Sequence, residues 1–383
     1  MTIDRRAGLR AILATVAAGW PLARVRAAEV GVGPATIAIG QSVTLQGGRN
    51  AYGQAACEGI SMCFEAANAA GGIHGRSLVL RTLDDDNQTA TAERNARTLV
   101  AEGAFVLFGP IEGGPSTAVA KVAEEARVPL FGPMAGSPNL RRPHSPMVFP
   151  VRAEHREEFR ALLDWGWRTG LASVAFFHAD SDVGRQHLEN VRLLTQELGL
   201  KLLLPLPFKA DITDAQLELL ADRVADAAPQ MAFNHGSAGL YGKLIAQARR
   251  KGAKTTFMAV NSGSTQMAAG LGPLAQGMVF SQVVPSPFER KHALSREYQE
   301  AVQRQRPGSP LSYGALEGYM TAKALLSALR SAGRNLTRAS LIAALYRAPL
   351  ELGGLSARYA PGAHEGSHFV DLSMYSRESR FIH

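Results

Sequence analysis

An apolar run, Ala104-Phe105-Val106-Leu107-Phe108, passes into Gly109-Pro110-Ile111-Glu112-Gly113-Gly114-Pro115-Ser116 and then into a helical pattern over 117–127. A buried strand, a glycine corner and a helix in that order constrain the chain to a βα unit. Main-chain N–H groups at such a corner approach a small ligand closely, and the helix N-terminus behind it favours negative charge. A second corner, Gly132-Pro133-Met134-Ala135-Gly136-Ser137-Pro138, closes the next strand, 128–131. Neither corner carries a catalytic motif. The pair predicts a binding cleft rather than a reactive centre.

The alternation extends along the chain. Strands are expected at 36–41, 78–83, 105–108, 128–131, 173–177, 231–234, 256–260 and 278–283. Helical spacing of apolar residues separates most of them, as over 91–102 and 183–198. Strands bare of polar residues and alternating with helices predict an α/β fold whose parallel sheets are covered on both faces. With 383 residues, 46% hydrophobic, the chain has material for two domains. Arg141-Arg142-Pro143-His144-Ser145-Pro146, followed by extended Met147 to Arg152, reads as a passage between them. Pro285-Ser286-Pro287 reads as a return, and Leu352-Gly353-Gly354 as a third crossing. Helices 289–305 and 313–330 then rejoin the first domain, and 369–381 alternates like an antiparallel hairpin. The expected division is 1–27 as an export signal, 28–150 with 285–350 as lobe one, and 151–284 with 351–383 as lobe two.

The signal reading rests on Arg5, Arg6 and Arg10, the apolar stretch 11–18 and small residues around Val25-Arg26-Ala27. That segment holds five arginines and one aspartate, so its removal takes the formal charge from +8 to +4. The remaining charge is scattered, which excludes a nucleic-acid footprint, and no apolar run is long enough for membrane insertion. Cys57 and Cys63 sit six apart in a helical pattern. They point some 240° apart around the axis, roughly 9 Å along it, and are expected to be free thiols.

Residues 66–76, reading Ala66-Ala67-Asn68-Ala69-Ala70-Gly71-Gly72-Ile73-His74-Gly75-Arg76, end a helix in a glycine turn. With Asp84-Asp85-Asp86, the corner from Gly109 to Thr117 and the entry Val128-Pro129, the chain resembles the substrate-binding proteins of ABC importers, of the type that includes the leucine/isoleucine/valine-binding protein. The resemblance implies two Rossmann-like lobes joined by three hinge crossings, closing on a solute for an inner-membrane ABC permease. It implies a periplasmic receptor with no catalysis and no cofactor, or the same receptor serving a sensor kinase or chemoreceptor.

Carried onto this sequence, the resemblance places ligand contacts at Tyr52, Glu112, Gly113, Gly114, Gly136 and Ser137 in lobe one, and at Asp182, Asn234 and Asn261 in lobe two. The family's first-turn hydroxyl is Gly113 here, and the second falls at Gly136 or Ser137. Its ammonium-binding carboxylate aligns with Asn261, and its lobe-two aromatics align near Val183 and Ser237. A desolvated ammonium needs an ionised partner, which Asn261 cannot supply. The expected solute is therefore a small organic acid, aromatic acids included, or an amide, rather than an ordinary branched-chain amino acid. Arg49 either adds charge to the site or is a solvated loop arginine. Glu112 points either into the cleft or to its rim, and Tyr313 either stacks on the solute or packs its helix.

Other motifs carry no such chemistry. His364-Glu365-Gly366-Ser367-His368 has the zinc-protease spacing, but Pro361-Gly362 before it and Gly366 within it deny the required helix. Asp84-Asp85-Asp86 reads as a strand end feeding a helix N-terminus rather than a metal site. No dinucleotide fingerprint or nucleophile elbow is present. His178, His187 and His235 show no metal spacing and are expected on the surface or the cleft rim.

Overall fold

The computed structural model describes residues 29–209, 211–236, 238–260 and 263–383. The expected export signal and Asn261 lie outside the described residues. The chain begins β1 (Thr36–Val43), α1 (Ala51–Ala69), β2 (Ser77–Asp84), α2 (Thr89–Ala101), β3 (Val106–Phe108), α3 (Gly113–Ala126), β4 (Leu130–Phe131) and β5 (Val148–Phe149). It continues α4 (His155–Arg168), β6 (Ser173–Ala179), α5 (Asp182–Glu197), β7 (Lys201–Phe208), α6 (Asp214–Ala227), β8 (Met231–His235), α7 (Ala238–Arg250), β9 (Thr256–Ala259), α8 (Ser264–Leu271) and β10 (Val279–Gln282). The last part is α9 (Ala293–Gln305), α10 (Tyr313–Ala332), α11 (Arg338–Arg347), β11 (Leu350–Glu351), β12 (Ser356–Ala360), β13 (Ala363–Gly366), β14 (Asp371–Tyr375) and β15 (Phe381–Ile382).

Two sheets organise these elements, one per lobe. The first, ordered β2-β1-β3-β4-β5, is parallel throughout, with Ile39 paired to both Leu80 and Val106. Its strands β3 and β4, and β5 at its edge, are buried along their whole length. The second sheet, ordered β15-β14-β10-β9-β8-β6-β7, is parallel from β7 to β10. At its other edge β14 and β15 add antiparallel, so the hairpin expected over 369–381 is present. Polar side chains cap several helices: Asn50 accepts from Gly53 N at the start of α1, and Ser312 from Ala315 N at the start of α10.

After β10 the chain returns to the first lobe, where α10 lies along α1. A Cβ on Gly59 would stand 1.9 Å from the Ala315 carbonyl oxygen, and one on Gly318 would stand 2.1 Å from that of Ala56. The two helices therefore touch backbone to backbone.

Every strand read from the sequence is present within two residues of its expected ends. Three features were not anticipated. β7 reads Lys-Leu-Leu-Leu-Pro-Leu-Pro-Phe, and its prolines mask it as a strand. It is tolerated because it is an edge strand pairing only with β6. Val148-Phe149, expected as part of a passage, completes the first sheet as β5. The crossing expected at Leu352-Gly353-Gly354 lies later, because β11, β12 and β13 form a small antiparallel sheet seated on lobe one. Tyr359 Oη donates to the Pro150 carbonyl at 2.9 Å, and Ser367 N to that of Val151 at 2.8 Å. The last passage to the second sheet comes between Gly366 and Asp371.

Cys57 and Cys63 are free. Burial pushes their thiols up to about 11 and about 12. Since the thiolate is the reactive form, native protein at about pH 8 should react with a disulfide reagent about 100-fold more slowly than denatured protein. Comparable rates before and after adding denaturant would contradict this placement. His364 and His368 do not form a metal pair: His364 bonds the Val148 carbonyl and Tyr346 Oη, whereas His368 is exposed.

Candidate functional site

The two glycine corners lie side by side at the carboxyl ends of β3 and β4, where Ile111 bridges to Met134. Parallel α/β sheets bind ligands at this edge. Glu112, just before α3, adopts φ 67° and ψ 142°, a conformation costly for a residue with a Cβ and a mark of functional turns. It is partly buried. Desolvation, with the negative charge of Asp85 acting the same way, raises its carboxyl pKa. Glycine is obligatory at 136, because a Cβ there would lie 2.6 Å from His155 N and 2.7 Å from its ring.

A cleft of about 790 Å³ opens between the lobes. Gln46, Arg49, Tyr52 and Glu112 line one wall; Gly236, Lys243, Gln266 and Met267 line the other. Asp84 shapes the first wall by accepting from Leu45 N, Gln46 N and Gly47 N at 2.9, 3.1 and 2.8 Å. Burial opposes its charge, but these N–H donors outweigh it and hold the carboxyl down at about 2. Asp85 is buried against Thr44 Oγ1 and Ser42 Oγ. The acidic run thus fastens the first loop instead of feeding α2, whose N-cap is Gln88.

The expected contact residues separate in space. Tyr52 and Glu112 reach the cleft. Gly113 faces Val183 of lobe two, 3.7 Å from where its Cβ would be, and Ser137 at 3.8 Å; Gly114 faces Thr89 Oγ1 at 3.0 Å. Ser137 is buried, with no protein partner for its hydroxyl. Asn234 is also buried; its amide donates to the Gly236 carbonyl at 2.9 Å, and its Oδ1 has no protein partner. Asp182 does not join them. It opens α5, is 88% exposed and pairs with Arg185 at 2.5 Å. A carboxylate at a helix N-terminus needs no ligand to account for it. Tyr313 is buried against His383 and packs its helix, whereas Arg49 lines the cleft within 3.9 Å of Asp86.

Two polar groupings beneath the cleft carried no sequence signal. In the first, Arg152, at the crossing after β5, pairs with Glu158 of α4 and lies 3.4 Å from Glu317 of α10. Tyr52 Oη donates to Glu317 at 2.9 Å, and Ser281 Oγ to Glu158 at 2.8 Å. These groups are almost wholly buried and link elements of the two lobes. The second grouping corrects the histidine expectation. His187 is fully buried and His178 nearly so, while His155, His187 and His235 bring a ring nitrogen each to within 4.8 Å of one another. Burial first, then the neighbouring histidines, holds His187 well below its usual pKa, so it is neutral. The three come from α4, α5 and β8, and so leave no local spacing to read.

Comparison with known proteins follows the same lines. The family model described as "Periplasmic binding protein" matches residues 36–375. The Leu/Ile/Val-binding protein homolog 7 of Brucella abortus (strain 2308) is 23% identical, covering 88% of this chain and 87% of its own. A possible leucine/isoleucine/valine-binding protein from Rhodopirellula baltica SH 1 superimposes with a TM-score of 0.84 at 25% identity, covering 94% of this chain and 98% of that one. A solute-binding protein of an ABC transporter from R. palustris, solved with benzoate, gives 0.77 at 17% identity, covering 91% and 95%. Two α/β lobes built on parallel sheets are the fold this chain shares with these structures. The chain belongs to the periplasmic binding protein family, in its type I, leucine/isoleucine/valine-binding branch.

Proposed function

We propose that the chain is the periplasmic receptor of an ABC-type importer, taking a small carboxylate- or amide-bearing solute, aromatic acids included, and handing it to an inner-membrane permease. Members of the family are substrate-binding proteins, and no helix among the described residues is long and apolar enough to cross a membrane. The observation that carries the solute class is the charge of the cleft. Arg49 on one wall and Lys243 on the other are its cations, and Glu112 is the one acid among its described lining residues. No ionised lobe-two carboxylate among them is placed for an α-ammonium. An anionic solute bridging Arg49 and Lys243 favours the closed state over the open one. Tyr52, Glu112, the corner residues Gly113, Gly114, Gly136 and Ser137, and Asn234 and Asn261 opposite complete the proposed contacts. In this reading the lobes hinge where the chain passes between the two sheets, at 150–154, 283–287 and 366–371. The benzoate bound by the R. palustris protein agrees with this class.

Thermal melting against a panel of organic acids, amides, amino acids, amines and sugars tests the proposal. A carboxylate or amide should raise the melting temperature most, by binding the folded state alone. Arg49→Ala and Lys243→Ala should each weaken that solute about tenfold, the scale of one charge-assisted hydrogen bond. Stabilisation by sugars or amines alone would overturn the solute class.

A further inference from the structure

We infer that His155, His187 and His235 form a binding site for a divalent first-row transition cation beside the interlobe cleft. The site is independent of the solute proposed above. Its first support is convergence. α4, α5 and β8 each bring one imidazole to the same point, with the ligand nitrogens within 4.8 Å of one another. Tetrahedral zinc with Zn–N bonds of 2.0–2.1 Å needs these nitrogens about 3.3 Å apart, reached by side-chain shifts of under about 1 Å.

The second support is polar accounting. His187 is 0% exposed, yet neither ring nitrogen has a protein hydrogen-bond partner, and Nδ1 of His235 is likewise buried without one. Each such group costs about 1–3 kcal/mol unless something satisfies it. Ring packing alone does not: the centroids of His155 and His187 lie 5.3 Å apart, those of His155 and His235 4.8 Å, those of His187 and His235 3.8 Å. A cation among them satisfies one nitrogen on each ring at once.

The surroundings are those of a metal centre. Nδ1 of His155 bonds Glu158 at 2.7 Å, which leaves Nε2 as the ring nitrogen available to a metal. Glu158 is in turn held by Arg152 and Ser281. A carboxylate orienting a ligand histidine is the usual supporting contact in zinc sites. Phe159 packs against all three rings and gives the site an apolar wall. His235 is the one member with partial exposure, and its neighbour Gly236 lines the cleft. Access, and any further ligand, therefore comes from the cleft side. Three imidazoles with an open position suit zinc, and imidazole equally accepts nickel or copper, so the donor set fixes the class of ion.

The untagged full chain, stripped with chelator and dialysed, should take up one equivalent of Zn²⁺ in equilibrium dialysis. Its melting temperature should rise with Zn²⁺. Co²⁺ in place of zinc should give the intense visible bands of a low-coordinate, nitrogen-ligated ion. His187→Ala and His235→Ala should each weaken zinc at least as much as the about 10–100-fold typical of losing a supporting residue, whereas His368→Ala should not. Should either variant fail to fold, the Co²⁺ spectrum of the unmodified chain decides. No zinc uptake by the stripped protein, a six-coordinate Co²⁺ spectrum, or unchanged affinity in folded His187→Ala and His235→Ala would overturn the site.

Discussion

Arg152→Ala is expected to lower the free energy of unfolding by about 3–5 kcal/mol, the cost of leaving a buried charge without its partner. Arg152 is 2% exposed, and both carboxylates it serves, Glu158 and Glu317, are 0% exposed. Burial opposes its charge, but the two acids outweigh that effect, so the guanidinium stays protonated. Deleting it leaves two desolvated carboxylates facing one another across the hinge. One belongs to α4 of the second lobe and the other to α10 of the first, so the damage is global instead of local. Urea unfolding monitored by circular dichroism reads the effect directly. Adding Glu158→Gln to Arg152→Ala should recover part of the loss, because it removes one of the stranded charges. A loss below about 1 kcal/mol for the single variant would mean that water reaches the network and screens it.

The contrast between what was legible and what was not follows from range. Strands such as 173–177 and 231–234 hold continuous apolar runs at 174–177 and 231–233, the local mark of a buried parallel strand. The corners at Gly109 and Gly132 were equally readable, since φ of 58° and 65° leaves glycine as the easy choice. β7 escaped because Pro205 and Pro207 argue against a strand, and only its place at a sheet edge makes them harmless. The sheet from Leu350 to Gly366 escaped because its two glycines at 353 and 354 look like a crossing, although they turn the chain back onto α9. Among the residues lining the cleft, Tyr52 and Glu112 were named beforehand from the resemblance. Lys243, Gln266 and the three histidines belong to elements brought together only by closing the second sheet. Asp182, named from the resemblance, pairs with Arg185 in the first turn of its own helix.

Gly318→Ala should destabilise the protein by about 3 kcal/mol, the upper end of the usual cost of forcing an extra carbon into a packed core. Helix propensity points the other way, since alanine is favoured over glycine inside a helix by about 1 kcal/mol. Geometry decides the sign. The new Cβ would lie 2.1 Å from the Ala56 carbonyl oxygen, a backbone atom inside α1 that cannot rotate aside. Relief requires moving two long helices apart, which opens gaps among Ile60, Leu316 and Met320 in the core of lobe one. Gly59→Ala meets the Ala315 carbonyl at 1.9 Å and should behave alike. The two together should cost less than their sum, because one separation of the helices accommodates both methyl groups. Gly270→Ala, in α8 with nothing within 4 Å of the added carbon, isolates the propensity effect and should raise stability by about 0.5–1 kcal/mol. Should Gly318→Ala prove as stable as Gly270→Ala in chemical denaturation, α1 and α10 are farther apart than described. The packing of lobe one would then have to be rebuilt around a wider helix pair.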